Sequence, residues 1–86
     1  MSIREEIYSV IQQNIRAIIP TVDGHEIQET DSMRDYGADS LQIVEVVSRS
    51  MKQLRIKVPR ARLLPVRNLK ELVDVFEEFG TKQPVA

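Results

Sequence analysis

Residues 36–47 read YGADSLQIVEVV, and this stretch sets a small polar turn against an apolar run. A helix is predicted to begin at Asp39 or Ser40, because either side chain can accept a hydrogen bond from a backbone N–H that the first turn leaves unpaired. The apolar residues of this helix are Leu41, Ile43, Val44, Val46, Val47, Met51 and Leu54. They cover more than the single stripe that a bundle helix needs, so Leu41 and Val44 are candidates for a contact surface for a partner, with a place in the core as the alternative.

Two further segments have helical spacing and capping signals. Ser2 followed by Glu5 fits a capping box, and apolar residues recur at helical spacing until Pro20. Asn68 followed by Glu71 repeats the signature before a last helix, which Gly80 is predicted to end. No segment keeps the period-two alternation of a strand, so the pattern predicts helices only.

Shorter elements connect these helices. In residues 21–37 the apolar residues thin out, and Asp31 is predicted to start a short turn of helix that Gly37 stops. A short segment lies between Pro59 and Pro65. The sequence therefore predicts an all-α fold, a small bundle of three main helices plus one short helix. Residues 1–80 form a single domain in this prediction, and residues 81–86 form a flexible C-terminal tail.

Length and composition exclude several classes of protein. The chain has 86 residues and no cysteine. A second hydrophobic core does not fit this length, and the lack of thiols excludes disulfides, thiolate catalysis and thiolate metal sites. No stretch approaches the roughly 20 apolar residues of a membrane span, and the N-terminus lacks the layout of a signal peptide. We therefore expect a cytoplasmic protein that is not bound to a membrane.

Charges are segregated along the chain although they nearly cancel. The 12 Lys and Arg and 13 Asp and Glu residues give a formal net charge of −1 at pH 7. Acidic residues dominate the first half, whereas residues 49–70 hold a run of basic residues with no acid before Glu71. Such separation predicts an oriented electrostatic face for a partner.

Catalysis by the chain itself is not predicted. A serine nucleophile needs a base within hydrogen-bond reach, and the only histidine is His25, in the acidic connection. The surroundings of Ser40 do not spell the glycine-flanked elbow of a hydrolase. Asp31 and Asp35 are interpreted as helix-end charge, and His25 as a solvated loop residue rather than a metal ligand. A separate enzyme could instead modify Ser40, which needs only an exposed hydroxyl on a rigid helix start.

The sequence GADSL at residues 37–41, followed by an apolar helix, resembles the modification site of acyl carrier proteins. The resemblance extends from about Ile3 to Phe79 and includes the helix order and the IKVP at residues 56–59. It implies an acyl-carrier-like fold and a non-catalytic role. It also implies that a phosphopantetheinyl transferase attaches 4'-phosphopantetheine from coenzyme A to Ser40. The arm would supply the thiol that the cysteine-free chain lacks, and acyl groups would be carried on it as thioesters.

The segment after the second helix narrows the resemblance. Carriers of fatty acid synthesis have an acidic face there, whereas this segment is basic. Such a change of sign disfavours the basic partner surfaces that recognise acidic carriers. Residues 58–76, VPRARLLPVRNLKELVDVF, resemble the discrete polyketide-pathway carriers that help install β-branches. That resemblance implies a free-standing donor of an acetyl unit, often derived from malonyl, to a synthase related to hydroxymethylglutaryl-CoA (HMG-CoA) synthase.

The resemblance also implies a set of functional residues and partners. Ser40 would hold the arm, and docking residues would lie near it on the second helix and beyond it: Asp39, Leu41, Val44, Glu45, Ser48, Arg60 and Arg62. The expected partners are the phosphopantetheinyl transferase and acyl-loading and condensing enzymes of the acyltransferase, ketosynthase-like or HMG-CoA-synthase-like kind. The carrier is expected to be a monomer that needs no metal.

Other interpretations remain open at this point. The run from Arg49 to Lys70 could bind nucleic acid, but the chain is slightly acidic, the run has no interleaved aromatic residue, and the second helix is largely aliphatic. A plain helical interaction module would use an unmodified Ser40 as a helix cap. Peptidyl and D-alanyl carriers share the serine at a helix start, so the sequence does not separate them from acyl carriers.

Overall fold

A computed structural model describes residues 2–20 and 26–82 of the chain, the last two of these by their backbone alone. Its elements are helix α1 (Ile3–Ile18), a 3₁₀ turn (Met33–Tyr36), helix α2 (Ser40–Leu54), helix α3 (Arg60–Leu63) and helix α4 (Leu69–Lys82). No strand occurs in these two ranges. The all-α prediction is confirmed, with α1, α2 and α4 as the main helices and α3 as the short one.

Helix α1 begins and ends where its sequence signals predict. The Ser2 side chain accepts the backbone N–H of Glu5 at 3.2 Å, and the helix stops two residues before Pro20. Ile7, Ile11 and Ile15 recur at four-residue spacing, and all three are fully buried. This stripe forms the α1 side of the core.

A buried polar contact fixes α1 against α2. The Asn14 side-chain amide donates to the Ser50 hydroxyl at 3.0 Å and to the Gln53 side chain at 2.8 Å. The Ser50 hydroxyl donates in turn to the Val46 carbonyl at 2.8 Å, so both buried polar side chains are satisfied. The contact sets which face of α2 points inward.

The 3₁₀ turn starts one residue later than predicted. Ser32 is its cap, because its hydroxyl accepts the Arg34 N–H at 3.0 Å and its own N–H is bound by Asp35 at 2.9 Å. Asp31 does not start the turn, because its carboxylate accepts the Gln28 N–H and the Tyr36 hydroxyl instead. Gly37 ends the turn as predicted, with a left-handed φ of 83° that glycine adopts without steric cost.

The connection before α2 also accepts hydrogen bonds from the first backbone N–H groups of α4. The backbone N–H groups of Leu69 and Lys70 donate to the carbonyls of Asp31 and Glu29 at 2.9 and 2.8 Å. Asn68 accepts the Glu71 N–H at 2.9 Å, which confirms the predicted cap. Residues 29–31 of the connection are therefore held against the start of α4.

The prediction that Gly80 ends the last helix is wrong, because α4 continues to Lys82. A Cβ at Gly80 would lie 2.9 Å from Ile56 Cδ1 and 3.2 Å from Ile3 Cδ1. Gly80 thus allows close approach of the chain rather than a helix stop. The first two residues of the predicted tail are helical, and residues 83–86 lie outside the described residues.

The core lies between the three main helices and leaves part of α2 uncovered. Phe76 and Val73 of α4 pack with the α1 stripe and with Val46 of α2. In the described ranges no helix is both long and apolar enough to cross a membrane.

Candidate functional site

Ser40 is the first residue of α2, and its side chain is exposed. The capping role belongs to Asp39: its carboxylate accepts the Gln42 N–H at 2.8 Å, and the Gln42 side chain accepts the Asp39 N–H at 3.0 Å. The Ser40 hydroxyl makes no hydrogen bond to any residue that the structure describes. A hydroxyl at a helix start that does no capping is available for other chemistry.

The chain immediately before Ser40 is small and anchored. Ala38 is buried, and its N–H donates to the Met33 carbonyl at 3.3 Å. Gly37 has no side chain to cover the hydroxyl. The start of α2 also carries the positive end of the helix dipole, which favours an anion there. The local structure thus presents an oxygen atom where a bound phosphate group is stabilised.

The described part of the chain gives Ser40 no catalytic partner. Asp35 takes part in the cap of the 3₁₀ turn, as interpreted from the sequence, whereas Asp31 accepts hydrogen bonds from Gln28 and Tyr36 within the connection. Burial, with the hydrogen bond to Asp31, raises the pKa of Tyr36 to about 12, so this phenol stays protonated near neutral pH. His25 lies outside the described residues. Within residues 2–20 and 26–82, no cluster of His, Cys, Asp and Glu side chains could hold a metal ion.

The apolar surplus of α2 is exposed, as predicted. Leu41 is 81% exposed and Val44 is 59% exposed, whereas Val46 and Val47 of the same helix are buried. Two large apolar side chains in water beside Ser40 contribute nothing to the core. They form a surface that a partner protein can cover.

The remaining predicted docking residues are exposed but differ in whether they form ion pairs. Ser48 is exposed one turn beyond Val44, and Glu45 lies 3.6 Å from Arg49, which follows it by one helical turn. Arg60 is exposed at the start of α3, with no ion pair to any described residue. Ser48 and Arg60 line the same groove as Ser40, and Glu45 lies one helical turn after Leu41.

Unlike Arg60, Arg62 forms contacts with other side chains of the fold. Its guanidinium lies 2.5 Å from the Glu78 carboxylate and 5.4 Å from the centre of the Phe79 ring. These contacts tie α3 to the second half of α4. The sequence placed the two arginines in one docking set, but the fold uses Arg62 within the chain.

A groove of about 720 Å³ opens beside Ser40, between α2, α3 and α4. Its walls are mainly apolar, and its lining includes Ile43, Val44, Val47, Met51, Val58, Leu63, Leu64, Val66, Leu69 and Leu72. Leu64, on the α3 side, is 75% exposed. Arg34 and Arg67 also line the groove and were not among the predicted site residues. In the sequence, only their positive charge distinguishes these two residues. Their position at the groove could not be predicted, because the groove forms only when segments that are distant in the sequence come together in the fold.

A small helical bundle that presents an exposed serine, without a described base, at a helix start defines a class of carrier domain. The family model described as "Phosphopantetheine attachment site" matches residues 10–76, and the chain belongs to that family. The fold, the helix order and the exposed serine are those expected from the resemblance to acyl carrier proteins.

Two known proteins are similar over most of their length. The chain is 33% identical over 72 residues to the polyketide biosynthesis acyl-carrier-protein AcpK of Bacillus subtilis (strain 168), covering 84% of this chain and 88% of AcpK. A chain in the crystal structure of the curacin biosynthetic pathway HMG synthase in complex with acetyl donor-ACP superposes with a TM-score of 0.77. The identity there is 32%, with 88% of this chain and 96% of that chain covered. The protein is a carrier similar to these polyketide-pathway proteins.

Proteins of this family carry 4'-phosphopantetheine covalently on a serine, and this is the cofactor of the chain. The residues around the start of α2 fit such a group. An exposed hydroxyl is available for the ester bond, and the helix dipole favours the negative charge of the phosphodiester. The described lining of the neighbouring groove contributes arginine side chains and no acidic side chain.

Proposed function

We propose that Ser40 carries the 4'-phosphopantetheine arm. The supporting observation is that its exposed hydroxyl, at the start of α2, has no hydrogen-bond partner among the described residues. When bound, the arm supplies a thiol that holds acyl groups as thioesters. The protein's own part is to position this arm and to offer partner enzymes a surface next to it.

The other serines in the matched range are less suited to attachment. Ser50 is fully buried and bonded to Asn14 and Val46. Ser32 is half-buried, and its hydroxyl caps the 3₁₀ turn. Ser48 is exposed but lies inside α2, away from the positive end of the helix dipole. Ser40 alone among these combines an exposed hydroxyl with a helix start.

The protein acts, in this proposal, as the acetyl donor carrier for a synthase related to HMG-CoA synthase in polyketide biosynthesis. Two similarities support this role: one relative is named for polyketide biosynthesis, and the superposed carrier is an acetyl donor in complex with an HMG synthase. The basic run of residues 49–70 agrees with a partner other than those of acidic fatty-acid carriers. The chain itself does not catalyse the condensation, and it works in the cytoplasm.

The proposed docking face surrounds the attachment site. Leu41 and Val44 form its apolar centre, and its polar rim is formed by Asp39, Glu45, Ser48 and Arg60. Arg62 contributes indirectly, because its contacts with Glu78 and Phe79 hold the helix that carries Arg60. The phosphopantetheinyl transferase and an acyl-loading enzyme would use parts of the same face.

Attachment is tested by intact mass after incubation with coenzyme A, magnesium and a broad-specificity phosphopantetheinyl transferase. Wild type and the matched control Ser48→Ala should each gain one phosphopantetheinyl group, and Ser40→Ala should gain none. A gain by Ser40→Ala would place the arm on another residue. Circular dichroism of each variant shows that the helices remain folded.

The donor role is tested with the acetyl-loaded protein and the curacin pathway HMG synthase. The account predicts loss of the acetyl group from the carrier and its appearance on the synthase, both followed by mass. An acetyl-loaded carrier of fatty acid synthesis serves as the control and should react more slowly. Equal rates for the two carriers, or faster transfer from the control, would contradict the donor role of this chain.

A further inference from the structure

The arginines of the chain fall into two groups according to their partners. Arg4 pairs with Asp74 at 2.5 Å, Arg49 with Glu45 at 3.6 Å, and Arg62 with Glu78. Four others, Arg34, Arg55, Arg60 and Arg67, are exposed and form no ion pair with any residue in the described ranges. Arg34, Arg60 and Arg67 come from the 3₁₀ turn, α3 and the segment before α4, and these three line the groove beside Ser40.

The charge of this groove has one sign. Among the described residues, its lining contains the three arginines and no aspartate or glutamate. Glu71 binds the backbone N–H of Arg67 at 2.7 Å, but it does not line the groove. Low-dielectric walls concentrate the field of nearby charges, so an apolar groove edged by guanidinium groups attracts anions. The fold has thus collected unpaired cations from separate segments at one opening.

The shape and charge of the groove favour a particular kind of ligand. A guanidinium group binds a carboxylate through two parallel hydrogen bonds, and the apolar walls can pack against a short carbon chain. A neutral acyl group would gain only the apolar contact. The ligand that uses both features is a short acyl chain that ends in a carboxylate.

We propose that this groove binds a carboxylate-bearing acyl group of the malonyl class, carried on the chain's own arm. The inference rests on the proposed attachment at Ser40, which lies at the same groove. Arg34, Arg60 and Arg67 hold the carboxylate, while Val44 and Leu64 flank its carbon chain. An acetyl group has no carboxylate, so the acetyl form leaves the groove free. The carrier thereby distinguishes its dicarboxylic cargo from its acetyl cargo by charge.

The test compares four forms of ¹⁵N-labelled protein by NMR: without the arm, with the bare arm, acetyl-loaded and malonyl-loaded. Intact mass first establishes the loading of each form. The Nε–Hε resonances of Arg34, Arg60 and Arg67 should shift on going from the acetyl to the malonyl form. Those of Arg55, an exposed arginine outside the groove, should not. Because no partner enzyme is present, the proposed docking role of Arg60 cannot contribute to these shifts.

A set of variants checks the origin of these shifts. In the triple variant Arg34→Gln, Arg60→Gln, Arg67→Gln, the amide shifts that malonyl causes along the groove should be lost, and in Arg55→Gln they should remain. Identical spectra for the acetyl and malonyl forms would overturn the proposal. Arginine shifts that are already complete with the bare arm would assign the site to the phosphodiester and overturn it as well. A protein that gains no arm at Ser40 would instead refute the proposed function on which this inference rests.

Discussion

Ser40 and Ser50 lie on the same helix and have opposite environments. Ser50 is fully buried, accepts a hydrogen bond from Asn14 and donates one to Val46. Ser40 is exposed, and its capping role is taken by Asp39. A hydroxyl is available for modification only when the surrounding structure leaves it exposed and outside its own hydrogen-bond network. Residue type alone does not distinguish the two.

The same contrast applies to Arg60 and Arg62 on helix α3. Arg62 contacts Glu78 and Phe79 within the fold, whereas Arg60 is exposed and forms no ion pair with any described residue. In both pairs, the residue that the fold does not use lies at the groove beside α2. Substitutions at Ser50 and Arg62 are therefore expected to change stability, and substitutions at Ser40 and Arg60 are expected to leave it nearly unchanged.

The largest expected difference is between the buried contact of Ser50 and the exposed hydroxyl of Ser40. Asn14→Ala should lower the free energy of unfolding by about 2 kcal/mol, because it removes the hydrogen bonds to Ser50 and Gln53 and leaves a small cavity in their place. Ser40→Ala should change it by less than about 0.5 kcal/mol, since no described contact is lost. Urea unfolding followed by circular dichroism measures both. An equal loss in the two variants would contradict the contrast.

A smaller effect is expected at the helix cap. Asp39→Ala should lower the free energy of unfolding by about 1 kcal/mol, because the Gln42 N–H loses its acceptor. Asp39→Asn keeps an oxygen acceptor and should retain most of this stability. If Ser40→Ala proved more destabilising than Asp39→Ala, the assignment of the cap to Asp39 would be wrong.

The smallest expected difference in the free energy of unfolding is between variants of the two arginines of α3. Arg62→Gln should cost up to about 1 kcal/mol, through the partly exposed ion pair with Glu78 and the contact with Phe79. Arg60→Gln should stay within about 0.5 kcal/mol of wild type. Thermal unfolding of the two variants in parallel tests this order. The reverse order would show that Arg60, rather than Arg62, holds α3 to the bundle.

Local signals in the sequence predicted much of the fold. The Ser2 and Asn68 caps, the start of α2, the Gly37 stop and the exposure of Leu41 and Val44 are confirmed. Each depends on neighbours along the chain or on an excess of apolar residues over one helical stripe. Such features are decided within a few residues, so the sequence contains them.

The features that sequence reasoning missed depend on contacts between distant segments. Gly80 was expected to stop a helix, but Ile3 and Ile56 require its small size for packing. Arg62 finds its partners on α4, and Arg34 and Arg67 meet at the groove only in the folded chain. The 3₁₀ turn is capped by Ser32 and not by Asp31, because the Asp31 carboxylate accepts hydrogen bonds from Gln28 and Tyr36. No spacing rule within a single helix predicts such choices.

The most direct test of the account is to locate the arm on wild-type protein. After loading with coenzyme A and a phosphopantetheinyl transferase, the protein is digested and its peptides are fragmented in the mass spectrometer. The added mass is expected to map to Ser40 and to no other residue. Added mass on Ser32, Ser48 or any residue other than Ser40 would contradict the central claim.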